Sequence, residues 1–182
     1  MGKIKIFIFG ILTALAALVF ENLIPIIFLK TAVEATSPFD VYLLTAILIE
    51  ELLKLISIWK ISRISENQKN IFWLAVFFGL GFAFVEIFLN ILNFNLEFVL
   101  NYFGLFLIHT FTSTIYGLYF SKKESFSVLG GLAIFALGCF SHFLFNFSVF
   151  FDISPILTNS ILAIFLLIMG KIGFLAKKKK LN

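Results

Sequence analysis

The stretch Val41-Tyr-Leu-Leu-Thr-Ala-Ile-Leu-Ile-Glu50-Glu51-Leu-Leu-Lys54-Leu-Ile-Ser-Ile-Trp59 decides how this chain reads. A run of about twenty mostly apolar residues is long enough to cross a bilayer as a helix. Yet its middle carries two adjacent carboxyls and an amine. Each ionisable group near the centre of a span costs roughly 2.5–3.5 kcal/mol on insertion scales. Helical spacing offsets part of that, because Lys54 lies four residues after Glu50 and three after Glu51, one turn from both. A structural ion network is the plainer explanation. The default for charge inside a membrane is a functional site, and Glu86, His109, His142 and Asn146 are the polar groups available to complete it.

The rest of the composition agrees with a membrane setting. The 182 residues are 61% hydrophobic and 13% charged, with mean hydropathy +1.08. Soluble domains are about a quarter charged. The expected class is therefore all-α: a polytopic transmembrane helix bundle forming one integral membrane domain over residues 1–182. Its functional core spans about 41–151. The charge of +4 does not indicate a nucleic-acid partner, since the basic residues are spread over loops and a tail. The closing run Lys177-Lys178-Lys179-Lys180 suits a cytoplasmic anchor facing phospholipid. Cys139 is alone, which rules out an internal disulfide and reads as a small core residue. Lys3 and Lys5 ahead of an apolar run imitate a signal peptide, but no polar cleavage region follows, so a retained first helix is expected.

Six spans are expected: about Ile4–Phe20, or on to Leu29 with Glu21, Asn22 and Pro25 marking an interfacial end or kink; Val41–Trp59; Ile71–Phe94; Phe98–Phe120; Phe126–Phe151; and Ile156–Phe174. A polar link covers Lys60 to Asn70. Pro38 and Pro155 fit helix starts, where a missing amide donor does no harm. Twelve of the 14 basic residues fall at the N-terminus, the second and fourth loops and the C-terminal end. Lys54 is within a span and only Lys30 lies on the other side. The positive-inside rule then places both termini in the cytoplasm.

With that orientation, residue counting gives depth. Glu50 lies roughly 15 Å below the external surface, Glu86 roughly 12 Å, His109 roughly 16 Å and His142 roughly 14 Å, with Asn146 a turn higher. Four helices thus direct polar groups to one layer in the outer half of the membrane. Taken singly, each has a bland role: an interhelical hydrogen bond for His109 or Asn146, a protonated carboxyl for Glu86. Taken together they predict a site. Gly79, Gly81 and Ala83 precede Glu86 and allow another helix to approach closely. Gly130, Gly131 and Gly138 offer the same on the fifth span. The 27 phenylalanines are packing and lipid-facing material.

Two adjacent carboxyls, a third, two imidazoles and an amide suit hydrolysis in a wet intramembrane cavity. A carboxylate there can take a proton from water and return it to a leaving amine. Imidazole and amide donors can stabilise an oxyanion. Zn²⁺ held by Glu86, His109 and His142, with a position left for water, is the metal-dependent version. No His-Glu-x-x-His motif is present, and Ser113 and Ser141, though near the histidines in sequence, lack an acidic partner for a triad.

Glu50-Glu51-Leu-Leu-Lys54, Gly79-Leu-Gly81-Phe82-Ala-Phe-Val-Glu86, His109-Thr-Phe-Thr-Ser-Thr-Ile-Tyr-Gly117 and His142-Phe-Leu-Phe-Asn146, in that order, resemble the PrsW family of intramembrane proteases, which is similar to the CAAX-prenyl protease and ABI group. Lys54 and the spacing from Phe82 to Glu86 favour the PrsW branch. The resemblance covers about Ile49 to Asn146. The chain departs from the family pattern in being short, in lacking a basic residue between Asn101 and Ile108, and in carrying Asn146. The resemblance implies cleavage of a membrane-anchored protein, such as an anti-sigma factor, close to its extracytoplasmic surface. It implies Glu50 as the water-activating base, Glu51 and Lys54 tuning it, and Glu86, His142 and Asn146 placing the water or the oxyanion, assisted by His109. The lysine beside the carboxylates favours catalysis with no cofactor. A proton- or ion-coupled carrier, or an inactive immunity or scaffold protein of the same fold, are the alternatives.

Overall fold

The computed structural model describes residues 2–24, 39–65, 70–92, 99–121 and 127–178, with side chains described except at 24, 99–101 and 172–178. Six helices follow in order: α1 (Lys3–Ile24), α2 (Val41–Ile64), α3 (Ile71–Leu92), α4 (Val99–Phe120), α5 (Val128–Phe150) and α6 (Pro155–Lys178). No strand occurs among the described residues. At 1.5 Å per residue each helix is about 33–36 Å long, comparable to a hydrocarbon core of about 30 Å. By length and composition α1, α3, α4 and α5 are apolar enough to cross a membrane. The exterior fits such a solvent, with Leu12, Phe88, Phe140 and Leu167 among many large apolar side chains left exposed.

Helix boundaries follow local chemistry. The Asp40 carboxylate accepts from Tyr42 N–H at 2.8 Å and caps α2, and Ser127 caps α5 by accepting from Gly130 N–H at 3.0 Å, each satisfying one orphan amide. Pro155 opens α6 at the position where it is tolerated best. At the end of α5, Asp152 takes φ 51°. Its N–H bonds Val149 O and Ile153 N–H bonds Ser148 O, the paired closure of a Schellman turn. Pro25, Lys30, Pro38, Lys69, Lys122, Lys123, Phe126 and Lys179–Lys180 lie outside the described residues, and with them three of the five loop positions in the charge count; Lys60 and Arg63 are on α2.

One boundary differs from expectation. The link read as starting at Lys60 is helical to Ile64, because Ile61 and Ser62 are buried and continue α2's inward face until Ser65 N–H closes on Ile61 O. Among the described residues α1 runs through Glu21 to Ile24, and the Glu21 side chain is buried on the stripe of Gly10, Thr13, Ala14 and Ala17.

The bundle is organised around the α3–α4 pair: α3 packs also on α1, α4 packs also on α2, α5 and α6, and α2 lies against α1 and α5 as well. Gly10 and Gly81 let the α1 and α3 backbones touch, since a Cβ on either would overlap a main-chain oxygen, Phe78 O or Phe7 O. Gly79 does the same towards α4, where a Cβ would lie 2.7 Å from His109 O. Phe78, Phe82, Ala75, Ile108 and Tyr116 fill the core between these helices. Cys139, expected in the core, is only half-buried because α5 turns that edge outward.

Candidate functional site

α2 supplies three ionisable groups within two turns. Lys54 Nζ stands 2.7 Å from Glu51 Oε1 and 3.4 Å from Glu50 Oε2, so the one-turn spacing in the sequence is realised as two ion pairs. Lys54 and Glu51 have no exposed side-chain surface. Burial of this kind is tolerated only where every charge finds partners, and α4 and α5 provide them. His109 Nδ1 lies 2.7 Å from Lys54 Nζ, and its Nε2 pairs with Glu86 of α3 at short range. His142 Nδ1 lies 2.9 Å from Glu51 Oε1. The two imidazoles meet edge to face at 5.2 Å, and Lys54 also sits 4.4 Å above the Phe82 ring, a favourable place for a cation.

The partners fix the tautomers. An ammonium can only donate, so Nδ1 of His109 accepts from Lys54 and Nε2 carries the hydrogen given to Glu86. A carboxylate can only accept, so His142 gives its Nδ1 hydrogen to Glu51. A continuous chain therefore runs from Glu86 through His109 and Lys54 to Glu51 and His142.

Of the seven expected residues, Glu50, Glu51, Lys54, Glu86, His109 and His142 are in direct contact within this cluster. Asn146 is not joined to it: one turn beyond His142 it is half-buried and makes no hydrogen bond to the others among the described residues. Ser141 turns its hydroxyl to Leu137 O. Ser113 is buried, with no partner for its Oγ among the described residues. Sequence reasoning missed Tyr116, whose hydroxyl donates to Glu51 Oε2 at 2.8 Å. The available signal was its place seven residues after His109, two turns along the same face. It also missed Glu21, which is buried at the end of α1 and interacts electrostatically with Glu50, Glu86 and Lys54. The register explains that proximity. Thr13 and Ser57 hydroxyls meet at 3.3 Å, and two turns from each along antiparallel helices bring Glu21 and Glu50 to one level.

Exposure divides the cluster. The lysine and imidazoles are closed off, Glu50 retains 13% of its side-chain surface and Glu86 34%. Glu86 and Glu50 are thus the members of the cluster with surface exposed. Within Glu50 the two oxygens differ. Oε2 faces Lys54 at 3.4 Å and the Nδ1 atoms of His109 and His142 at 3.8 Å each; Oε1 has no partner among the described residues.

Donor atoms of Glu50, His109 and His142 lie within 4.8 Å of one another, close enough to share a metal ion. Glu86, expected in that set, instead braces the far nitrogen of His109. The fit to a dication is poor, because Lys54 Nζ stands 2.7 Å from His109 Nδ1 and between the same groups. A metal would have to displace an ammonium already held by two carboxylates. No family model, curated protein or solved structure matches the chain.

Proposed function

We propose that the protein is an intramembrane endopeptidase that cleaves a membrane-anchored, anti-sigma-factor-like protein near the extracytoplasmic face, using a water activated by Glu50. The observation that carries the reading is the asymmetry of Glu50: one oxygen is paired with Lys54 and faces the two imidazoles at 3.8 Å, while the other has no partner among the described residues. In this reading all six helices cross the bilayer, α2 included, both termini are cytoplasmic, and the PrsW-like order of motifs is a family resemblance.

The chemistry balances within the cluster. A water donates one proton to Glu50 Oε1 while its oxygen attacks the scissile carbonyl carbon, giving a tetrahedral oxyanion. His142, held through Nδ1 by Glu51, turns Nε2 towards the reacting carbonyl and in its imidazolium form donates to that oxyanion. As the carbonyl re-forms and the C–N bond breaks, Glu50 passes its proton to the leaving nitrogen and returns to carboxylate. A positioned general base of this kind contributes about 10²–10⁴-fold, and one oxyanion donor about 10²–10³-fold. Lys54 keeps Glu50 oriented, His109 accepts from Lys54 and fixes it in place, and Glu86 holds His109. A metal-free mechanism is the version proposed, supported by the Lys54 ammonium 2.7 Å from His109 Nδ1, where it would repel a dication.

Co-expression with single-span substrate proteins tests this directly. Wild type should yield a truncated product that persists after exhaustive chelation. Glu50→Gln and His142→Ala should abolish it at unchanged protein level. Wild-type-like cleavage by both variants removes the enzymatic assignment. Glu50-dependent proton flux into liposomes without any cleavage would instead identify a carrier.

A further inference from the structure

The twin glutamates are sequence neighbours of identical chemistry that share Lys54 and His142 as neighbours, yet Glu51 holds both at hydrogen-bond distance and Glu50 holds neither as closely. Glu51 is saturated. Its Oε1 takes Lys54 at 2.7 Å and His142 at 2.9 Å, and its Oε2 takes the Tyr116 hydroxyl at 2.8 Å. Tyr116 is fully buried in the core, where a phenol needs a partner. Space for the Tyr116–Glu51 bond exists because α5 has no side chain opposite it. A Cβ on Gly138 would overlap the Tyr116 hydroxyl, and would come within 2.8 Å of Tyr116 Cζ and 3.1 Å of Glu51 Oε2.

Two helices each contribute twice to this arrangement. On α4, His109 and Tyr116 are seven residues apart and share a face; on α5, Gly138 and His142 are four apart and share one. The same α5 face therefore leaves room for the donor on Oε2 and supplies the donor on Oε1.

We infer that Tyr116, seated in the notch at Gly138, is a positioning residue that locks Glu51 as the anchor for Lys54 and His142 and so leaves Glu50 as the reacting carboxylate. The inference rests on the proposed role of Glu50. Turning Glu51 towards a water would break three bonds, whereas Glu50 Oε1 has none to break among the described residues. Tyr116 acts through Glu51 and touches no reacting atom.

The test is steady-state cleavage of a single-span substrate by the full chain in proteoliposomes, with wild type, Tyr116→Phe, Gly138→Ala and the double variant. Loss of one charge-assisted hydrogen bond predicts that Tyr116→Phe lowers kcat about 10-fold to 100-fold with KM within about 2-fold. Gly138→Ala should lower kcat at least as far. Added to Tyr116→Phe, the Gly138→Ala change should cost clearly less than it does in wild type, because its closest overlap, with the hydroxyl, is gone and only the approach to the ring carbon and Glu51 Oε2 remains. Glu51→Gln and Tyr116→Phe should likewise combine less than multiplicatively. Wild-type kcat in Tyr116→Phe overturns the inference, even with a lowered melting temperature, since that is what a purely packing role gives. Independent, multiplicative losses for Tyr116→Phe and Gly138→Ala overturn it too. In either case Glu50→Gln, inactive beside a cleaving wild type, shows that the protease reading stands by itself; a wild type that cleaves nothing sinks both.

Discussion

Where α1 meets α3 the two backbones touch through Gly10 and Gly81, whereas α2 meets α4 and α5 through Glu51, Lys54, His109, Tyr116 and His142. The first contact is dry and depends on side chains that are missing. In a bilayer, close backbone approach is a main source of helix association, because lipid tails compete with any apolar side chain. The second contact has almost no apolar content at its centre and depends on each donor finding an acceptor. One region can thus hold the bundle together while the other holds groups in states that favour chemistry. The division predicts that substitutions in the two regions fail in different ways.

The largest expected effect is on turnover alone. Glu50 is the partly exposed member of the charged trio on α2, and Glu50→Gln keeps its shape. Cleavage should fall by about 10²–10⁴-fold, the usual worth of a general base. Thermal unfolding in detergent should stay close to wild type. A variant that loses activity only in proportion to folded protein would erase the distinction between the two regions.

Lys54→Met should do the opposite first. It takes the ammonium from a fully buried carboxylate, leaving Glu51 only its His142 and Tyr116 donors, and breaking one side of a buried pair destabilises by about 3–5 kcal/mol. Glu51→Leu combined with Lys54→Met removes both charges, and should restore much of the lost stability while leaving the protein inactive. If the single variant unfolds like wild type, the polar centre is more hydrated than its burial indicates.

Gly81→Ala probes the dry contact. Its Cβ would meet the Phe7 carbonyl, a main-chain atom that cannot rotate away. Overpacking of this kind costs about 1–3 kcal/mol. The expected result is a lower melting temperature with unchanged kcat per folded molecule. A selective loss of kcat would mean that α1 reports to the site, and Glu21 is the residue through which it would do so.

How far the sequence anticipates this division depends on the kind of signal. Six helices are legible because long apolar runs leave little alternative and Pro155 marks a start, whereas the caps at Asp40 and Ser127 emerge only from their hydrogen bonds. The group of Glu50, Glu51, Lys54, Glu86, His109 and His142 is legible because charge is costly in an apolar chain. Tyr116 is not, since a tyrosine in an apolar helix is ordinary until its hydroxyl is seen on Glu51. Glu21 reads as a helix end because it follows an apolar run, and only the Thr13–Ser57 register puts it level with Glu50. Glu86 and Glu50 exchange places around His109 for a related reason: residue counting gives depth but not which way a side chain turns.

Asn146 gives the smallest expected effect and a sharp test of where the polar region ends. It stands one turn past His142 on the same helix, so sequence spacing alone cannot separate the two. His142 is buried against Glu51, whereas Asn146 is half-buried and outside the hydrogen-bonded chain. If membership of that chain sets catalytic weight, Asn146→Ala should change kcat by less than about 3-fold, against about 10²–10³-fold for His142→Ala. A donor lost from the oxyanion contacts would lower kcat with little change in KM, and a lost substrate contact would raise KM alone. A fall comparable to that of His142→Ala would extend the reacting region one turn along α5, and would make the amide a second oxyanion donor that comes into use when substrate is bound.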